Sequence, residues 1–233
     1  LNDVPYVSML AWTNSHIAFD DHSFTGFQTL VGWVGDVTLG EQLQSGVHAV
    51  VGANDPKGWD NQLDNEPLFN LYYMKKYKFL QRSRFDAAID VDVAAGNMFT
   101  LAQTALEFRF GNRPQGFAYQ VNTIGHALDF DARIHRARRH YVYATLVLRA
   151  SAMAYALPRD GNFLRSDNRW TEENNLDPEN FLGQVALGLH YERDDWGAHL
   201  NLFWGTDTVE DAASTALDDP NNNFATVLFE WQF

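Results

Sequence analysis

The chain has 233 residues and no cysteine, which is enough for one domain and leaves no disulfide framework or thiolate metal site. A formal net charge of −13 excludes a general role on nucleic acid, because phosphate backbones require a basic face. The 7 Trp, 9 Tyr and 17 Phe on a chain of mean hydropathy −0.33 suit a barrel with aromatic belts outside and a wet interior, although composition alone favours a soluble β-sandwich. No apolar run is long enough for a transmembrane helix. Leu1-Asn2-Asp3-Val4-Pro5 has neither a basic n-region nor an apolar h-region, so a mature form or a piece of one is expected.

In chain order, period-2 patterning predicts strands near 5–16 and 24–35, then a long connection at 37–66, then strands near 67–79, 84–95 and 98–111. A long stretch follows at 112–139, with a basic cluster from Arg133 to Arg139 that is read as a rim or periplasmic surface meeting lipid phosphates. Strands are predicted again near 140–155, 180–192, 196–207 and 224–233. In 85–93, Phe85, Ala87, Ile89, Val91 and Val93 oppose Asp86, Asp90 and Asp92; in the last strand Ala225, Val227, Phe229, Trp231 and Phe233 share one face. Several segments reach the ~9–11 residues of a tilted spanning strand, against roughly 5–6 for a soluble one. Tight polar turns at 20–22, 82–84 and 193–195 alternate with long connections at 37–66, 158–179 and 208–223, which is the outer-membrane arrangement. The expectation is therefore an all-β, antiparallel transmembrane β-barrel over 1–233, with about nine strands visible. Single-chain bacterial barrels have even strand counts, so either N-terminal strands are missing or the count is off by one.

The connection 37–66 holds the candidate chemistry. Glu41, Gln44 and His48 stand at offsets of three and four, so a short helix puts them on one face, with Leu43, Val47, Val50 and Val51 on the other. An imidazole one turn from an amide and a carboxylate has the means to fix its tautomer and basicity. A surface histidine without a role shows the same pattern. Downstream, Asp55, Asp60, Asp64 and Glu66 with several amides offer oxygens to a hard cation such as calcium, but without EF-hand spacing; a solvated polar loop explains them equally. His190 and His199 are read as lone structural imidazoles facing the interior.

These residues carry a resemblance. Gly40-Glu41-Gln42-Leu43-Gln44, Val47-His48, Gly52 and the block Gly58 to Pro67 are similar to the signature loop of lipid A deacylases of the LpxR type. Asp3-Val4-Pro5-Tyr6, Gly96-Asn97-Met98-Phe99, Phe108-Arg109-Phe110-Gly111-Asn112 and Asp160-Gly161-Asn162 resemble further family motifs along the whole chain. The resemblance implies a twelve-stranded barrel of the bacterial outer membrane that removes the 3′-linked acyloxyacyl chain of lipid A by a phospholipase-like route. In that route a histidine activates water and a divalent cation, Ca2+, polarises the ester. It assigns catalytic roles to His48 and Gln44, and a third to Asn54, where the family carries a glutamate; Asp55 beside it becomes the candidate metal ligand. The family's Asn-Asp pair and hydroxyl residue lie upstream of Asp-x-Pro-Tyr, so about three strands and part of the site are expected to be lacking here. Lipopolysaccharide of the outer leaflet is the implied partner, and a monomer is expected. Two other readings stay open: a non-catalytic barrel that kept the fold and lost the site, and a passive porin.

Overall fold

The computed structural model describes residues 6–54, 57–117, 132–133, 140–165, 177–193, 196–207, 209–210 and 223–231. Its elements begin with β1 (Met9–Phe19), β2 (Ser23–Val34), α1 (Gly40–Val51), β3 (Glu66–Arg82), β4 (Phe85–Gly96) and β5 (Phe99–Asn112). The short β6 (Gly116–Phe117) and β7 (Ala132–Arg133) come next, followed by β8 (His140–Ala156), the single turn α2 (Leu157–Asp160) and the two-residue β9 (Asp177–Pro178). The chain continues through β10 (Phe181–Arg193), β11 (Trp196–Gly205), β12 (Val209–Glu210) and β13 (Phe224–Trp231).

One 9-stranded sheet, in the order β1-β2-β3-β4-β5-β8-β10-β11-β13, forms the body, and every neighbouring pair in it is antiparallel. Among the described residues β1 pairs only with β2 and β13 only with β11, so the sheet is not closed on itself. The strand count agrees with the periodicity. β3 and β8 run to 17 residues each, beyond what a tilted spanning strand requires. The first strand starts later than its alternation suggests. Tyr6 bridges Gln62 and accepts from the Leu63 N–H, so this stretch is drawn into the loop before it reaches the sheet. No helix among the described residues is long and apolar enough to cross a membrane.

Alternation sorts the side chains by face. Phe27, Val31 and Trp33 of β2, Ile89, Val91 and Val93 of β4, and Leu187 and Leu189 of β10 are exposed, whereas the residues between them are buried or half-buried. An apolar outside over a polar inside is the inverse of a soluble protein and fits a bilayer around the sheet. Strand alternation also assigns the ends. The Asp20–His22 and Arg82–Phe85 turns share one end with the segment after β5, and α1 stands at the other.

The interior is filled in layers. Near the α1 end, Leu30, Val34, Leu63, Leu68, Tyr72, Met98, Leu101 and Met153 form an apolar cluster. Below it the lining turns ionic: Lys76 contacts Glu107 at 2.6 Å and Asp90 at 3.8 Å, and Arg109 Nε donates to Asp86 Oδ1 at 2.8 Å. At the short-turn end the chain after β5 folds inward. Phe117 is fully buried against Phe24, Met74 and Ala88, with Lys78 Nζ 4.6 Å from its ring centre. Gly116 fixes this plug by giving its N–H to Asp21 at 3.1 Å and its carbonyl to Arg109 at 2.8 Å. The remaining basic cluster, at 134–139, lies outside the described residues.

Candidate functional site

α1 spans Gly40–Val51, where the offsets of Glu41, Gln44 and His48 predict a helix. Its root is held against the sheet by residues of small size. A Cβ on Gly40 would overlap the Ser8 side chain and come within 2.9 Å of the Trp59 ring, so only glycine permits this approach. The Ser8 and Thr38 hydroxyls lie 2.5 Å apart, Thr38 Oγ1 donates to the Gly35 carbonyl at 2.7 Å, and Asn65 Oδ1 accepts the Val37 N–H at 3.0 Å. The helix ends on Gly52 with φ 70°, the left-handed conformation that favours glycine at this position.

That turn brings the chain back beside the helix. His48 Nδ1 lies 2.5 Å from the main-chain carbonyl of Asn54. A carbonyl only accepts, so Nδ1 carries the proton and the neutral ring is left with Nε2 as its basic nitrogen. One turn earlier, Gln44 Oε1 accepts the Trp59 indole N–H at 2.9 Å. Trp59 is buried, and its ring meets Tyr6 edge-on at 5.1 Å. His48 and Asn54 thus meet at the C-terminal end of α1, through the backbone of Asn54, while Gln44 stands one turn earlier and is held by Trp59. Glu41 is exposed on the helix. Asp55 lies outside the described residues, and among those described no three of His, Asp and Glu come together in a way that would hold a metal ion. The described donors therefore do not fit a calcium cage.

The segment after α1 is clamped by residues that the sequence marks only as family motifs. Asn97, at the β4–β5 turn, donates Nδ2 to Glu66 Oε1 and to the Pro67 carbonyl, each at 2.7 Å, and accepts the Phe69 N–H at 2.8 Å. Glu66, almost fully buried, also accepts the Leu164 N–H at 3.0 Å. Asn162 pairs with the backbone of Asp64 in both directions, accepting its N–H at 3.0 Å and donating to its carbonyl at 2.9 Å. Asp160 accepts the Ala156 N–H at 2.7 Å, which caps the turn that presents Asn162. Gly96, φ +156°, allows the close turn at Asn97, where a Cβ would overlap the Phe69 carbonyl. These residues form a hydrogen-bonded collar that locates Trp59 and hence Gln44. Spacing cannot reveal it, because its partners stand up to 98 residues apart.

The two interior histidines also differ from their reading as lone imidazoles. His190 and His199 face each other across β10 and β11, with their Nδ1 atoms 2.9 Å apart. His190 stacks on Tyr143 at 4.6 Å, and Tyr143 donates its hydroxyl to Glu192 at 2.6 Å. The antiparallel register of β10 and β11, which sets His190 opposite His199, makes this contact.

A comparison with curated protein sequences gives no match. Among solved structures, LpxR from Salmonella typhimurium superposes with a TM-score of 0.74 at 13% identity, over 99% of this chain and 75% of that one; at such identity the likeness concerns the fold. The family model described as outer membrane protein LpxR matches residues 1–233. The chain therefore belongs to the LpxR family of outer membrane proteins.

Proposed function

We propose that the chain is a carboxylic ester hydrolase of the outer leaflet, removing the 3′-linked acyloxyacyl chain of lipid A with His48 as general base. The observation that carries this reading is the His48 Nδ1 contact to the Asn54 carbonyl at 2.5 Å, which selects the tautomer with Nε2 as the base. His48 Nε2 takes a proton from water as the water oxygen adds to the ester carbonyl. The tetrahedral intermediate then collapses, the bond between the acyl carbonyl carbon and the 3′-oxygen of the sugar breaks, and the imidazolium returns its proton to the leaving sugar alkoxide. Gln44, with its carbonyl held by Trp59, keeps its amide N–H groups to orient water or ester. The chemistry sits at the rim of a sheet whose outer face is apolar, where a lipid-borne ester is reached sideways from the membrane.

The role of Asn54 follows from its backbone, so the amide in place of the family's glutamate does not disturb the imidazole. Asn54→Ala is expected to keep turnover within about twofold, whereas His48→Gln is expected to lower it by about 10²–10⁴. The assay is mass spectrometry of lipid A after incubation with the reconstituted protein, with calcium and with a chelator. No loss of an acyloxyacyl unit in either condition refutes the proposal and leaves the non-catalytic barrel, the reading favoured by the family's missing carboxylate at Asn54.

A further inference from the structure

α1 carries no buried residue, and its aliphatic side chains are the feature that water does not explain. Leu39, Leu43, Val47, Val50 and Val51 are all exposed, Val50 to 86%. They recur at helical spacing as one stripe, while Gln44, Ser45 and His48 are half-buried. At roughly 100° per residue, the stripe is centred about 110° round from the Gln44–His48 flank; Glu41 lies about 20° from His48, on the side away from the stripe, and Gln42 stands beyond it. The helix thus has three flanks: one against the sheet, one polar and one aliphatic. A contiguous aliphatic flank in water is a liability.

Its height supplies the occupant. Gly40 rests on Ser8, and Ser8 immediately precedes Met9, the first residue of β1. At that level Leu10 pairs with Trp33, and both are exposed on the lipid-facing side of β1 and β2. The root of α1 is therefore level with the aromatic upper edge of the membrane-facing surface, and its aliphatic flank continues that surface. Leu39 adds an independent sign. It holds φ 60°, the only non-glycine among the described residues with positive φ, at a position where glycine or asparagine is ordinary. In that conformation the leucine is 57% exposed, beside the aliphatic flank of α1.

We infer that α1 lies in the plane of the outer leaflet as an amphipathic interfacial helix, with Leu39, Leu43, Val47, Val50 and Val51 among lipid acyl chains. Interfacial helices seat the apolar face roughly 5–10 Å into the headgroup–acyl boundary. Rolled in this way, the helix holds His48 at the side of the lipid boundary and keeps Glu41 in water. The inference requires the outer-membrane setting and is independent of whether an ester is cleaved.

The absence of native cysteine makes the test direct. Single variants Leu43→Cys, Val47→Cys, Val50→Cys and, on the polar flank, Gln42→Cys are labelled with the environment-sensitive dye NBD. Each is reconstituted in phosphatidylcholine–phosphatidylglycerol vesicles with and without spin-labelled phosphatidylcholine. Folding is checked by heat-modifiable gel mobility, and the three stripe positions are read separately, so the loss of one leaves two. The expected result is blue-shifted emission at 43, 47 and 50, quenched several-fold more by the lipid spin label than at 42, with iodide showing the reverse order. Iodide quenching of similar strength at all four positions overturns the inference. A blue shift that ignores the lipid quencher and grows with protein density means that a second copy covers the flank, and overturns it as well.

Discussion

Two asparagines end similar Gly-Asn pairs, one just before β5 and one at its last residue, and the structure predicts that their removal has very different costs. Asn97 is 8% exposed and makes three side-chain hydrogen bonds, to the Phe69 N–H at 2.8 Å, the Pro67 carbonyl at 2.7 Å and the Glu66 carboxylate at 2.7 Å. Net values of about 1 kcal/mol for each neutral bond and ~1.5–3 kcal/mol for the charged one give about 3.5–5 kcal/mol for Asn97→Ala. Asn112 is exposed and makes one side-chain bond, to the His140 carbonyl at 2.5 Å, so Asn112→Ala is expected to cost about 1 kcal/mol or less. Both variants are reconstituted in lipid vesicles, and urea unfolding is followed by tryptophan fluorescence with gel mobility as a second probe. Comparable losses for the two, or an Asn97→Ala variant within about 1 kcal/mol of the parent, refute the claim that the collar holds this rim together. Asn97→Asp sharpens the test. It keeps an acceptor for the Phe69 N–H but sets a second carboxylate against Glu66, and is expected to cost no less than alanine.

Trp59→Phe keeps the ring against Tyr6 and deletes the donor to Gln44, so turnover on lipid A is expected to fall about fivefold, for about 1 kcal/mol, with the urea midpoint nearly unchanged; unaltered kinetics would separate Gln44 from the chemistry. Asp86 faces Arg109, Arg113 at 3.1 Å and Lys78 at 3.7 Å, so Asp86→Ala leaves buried cations without it and is expected to destabilise by about 3–5 kcal/mol, which the same urea titration reads. Asp21 provides a pH signature. Burial alone raises its pKa, but the Gly116 N–H, the Gln81 amide and Lys78 together hold it below 3.8. A carboxylate depressed in the folded state contributes stability that is complete above 3.8 and disappears as pH falls through the lower folded value. The difference in urea midpoint between Asp21→Asn and the parent should therefore be constant near neutrality and close below 3.8; a gap that persists in acid contradicts the sign.

How much was legible depended on the range of the interactions. The strands were readable because alternation is local and the bilayer imposes it on every one: Ile89, Val91 and Val93 face out and Asp86, Asp90 and Asp92 face in, as their order requires. α1 was readable because Glu41, Gln44 and His48 repeat at helical offsets. The state of the imidazole was not, since it depends on the backbone of Asn54, whose position follows from the left-handed Gly52 and not from the side chain at 54. The same holds for the start of β1, where Tyr6 prefers Gln62 and Leu63 to the sheet, and for the plug at Gly116 and Phe117, which answers to cations on β3 and β5. Motif residues conveyed a likeness but not a job. Gly96-Asn97 and Asp160-Gly161-Asn162 are turn formers to a sequence reader, and only the folded sheet shows that both close on the strip from Asp64 to Pro67.

That collar bears on the chemistry through a short chain of contacts. Asn162 and Asn97 fix Asp64 to Pro67, this strip fixes the single turn that buries Trp59, and Trp59 supports α1 at two points, the indole bond to Gln44 and the packing at Gly40. Among the described residues no such support reaches the aliphatic flank, where the helix is exposed. The catalytic geometry proposed for His48 therefore combines the Asn54 carbonyl, which fixes the ring, with the Trp59 contacts that hold α1 to the sheet. In the proposed setting the outer leaflet determines how far the helix tilts. A helix held on one flank by protein and on another by lipid keeps its imidazole registered to the barrel while placing it at the depth of the ester.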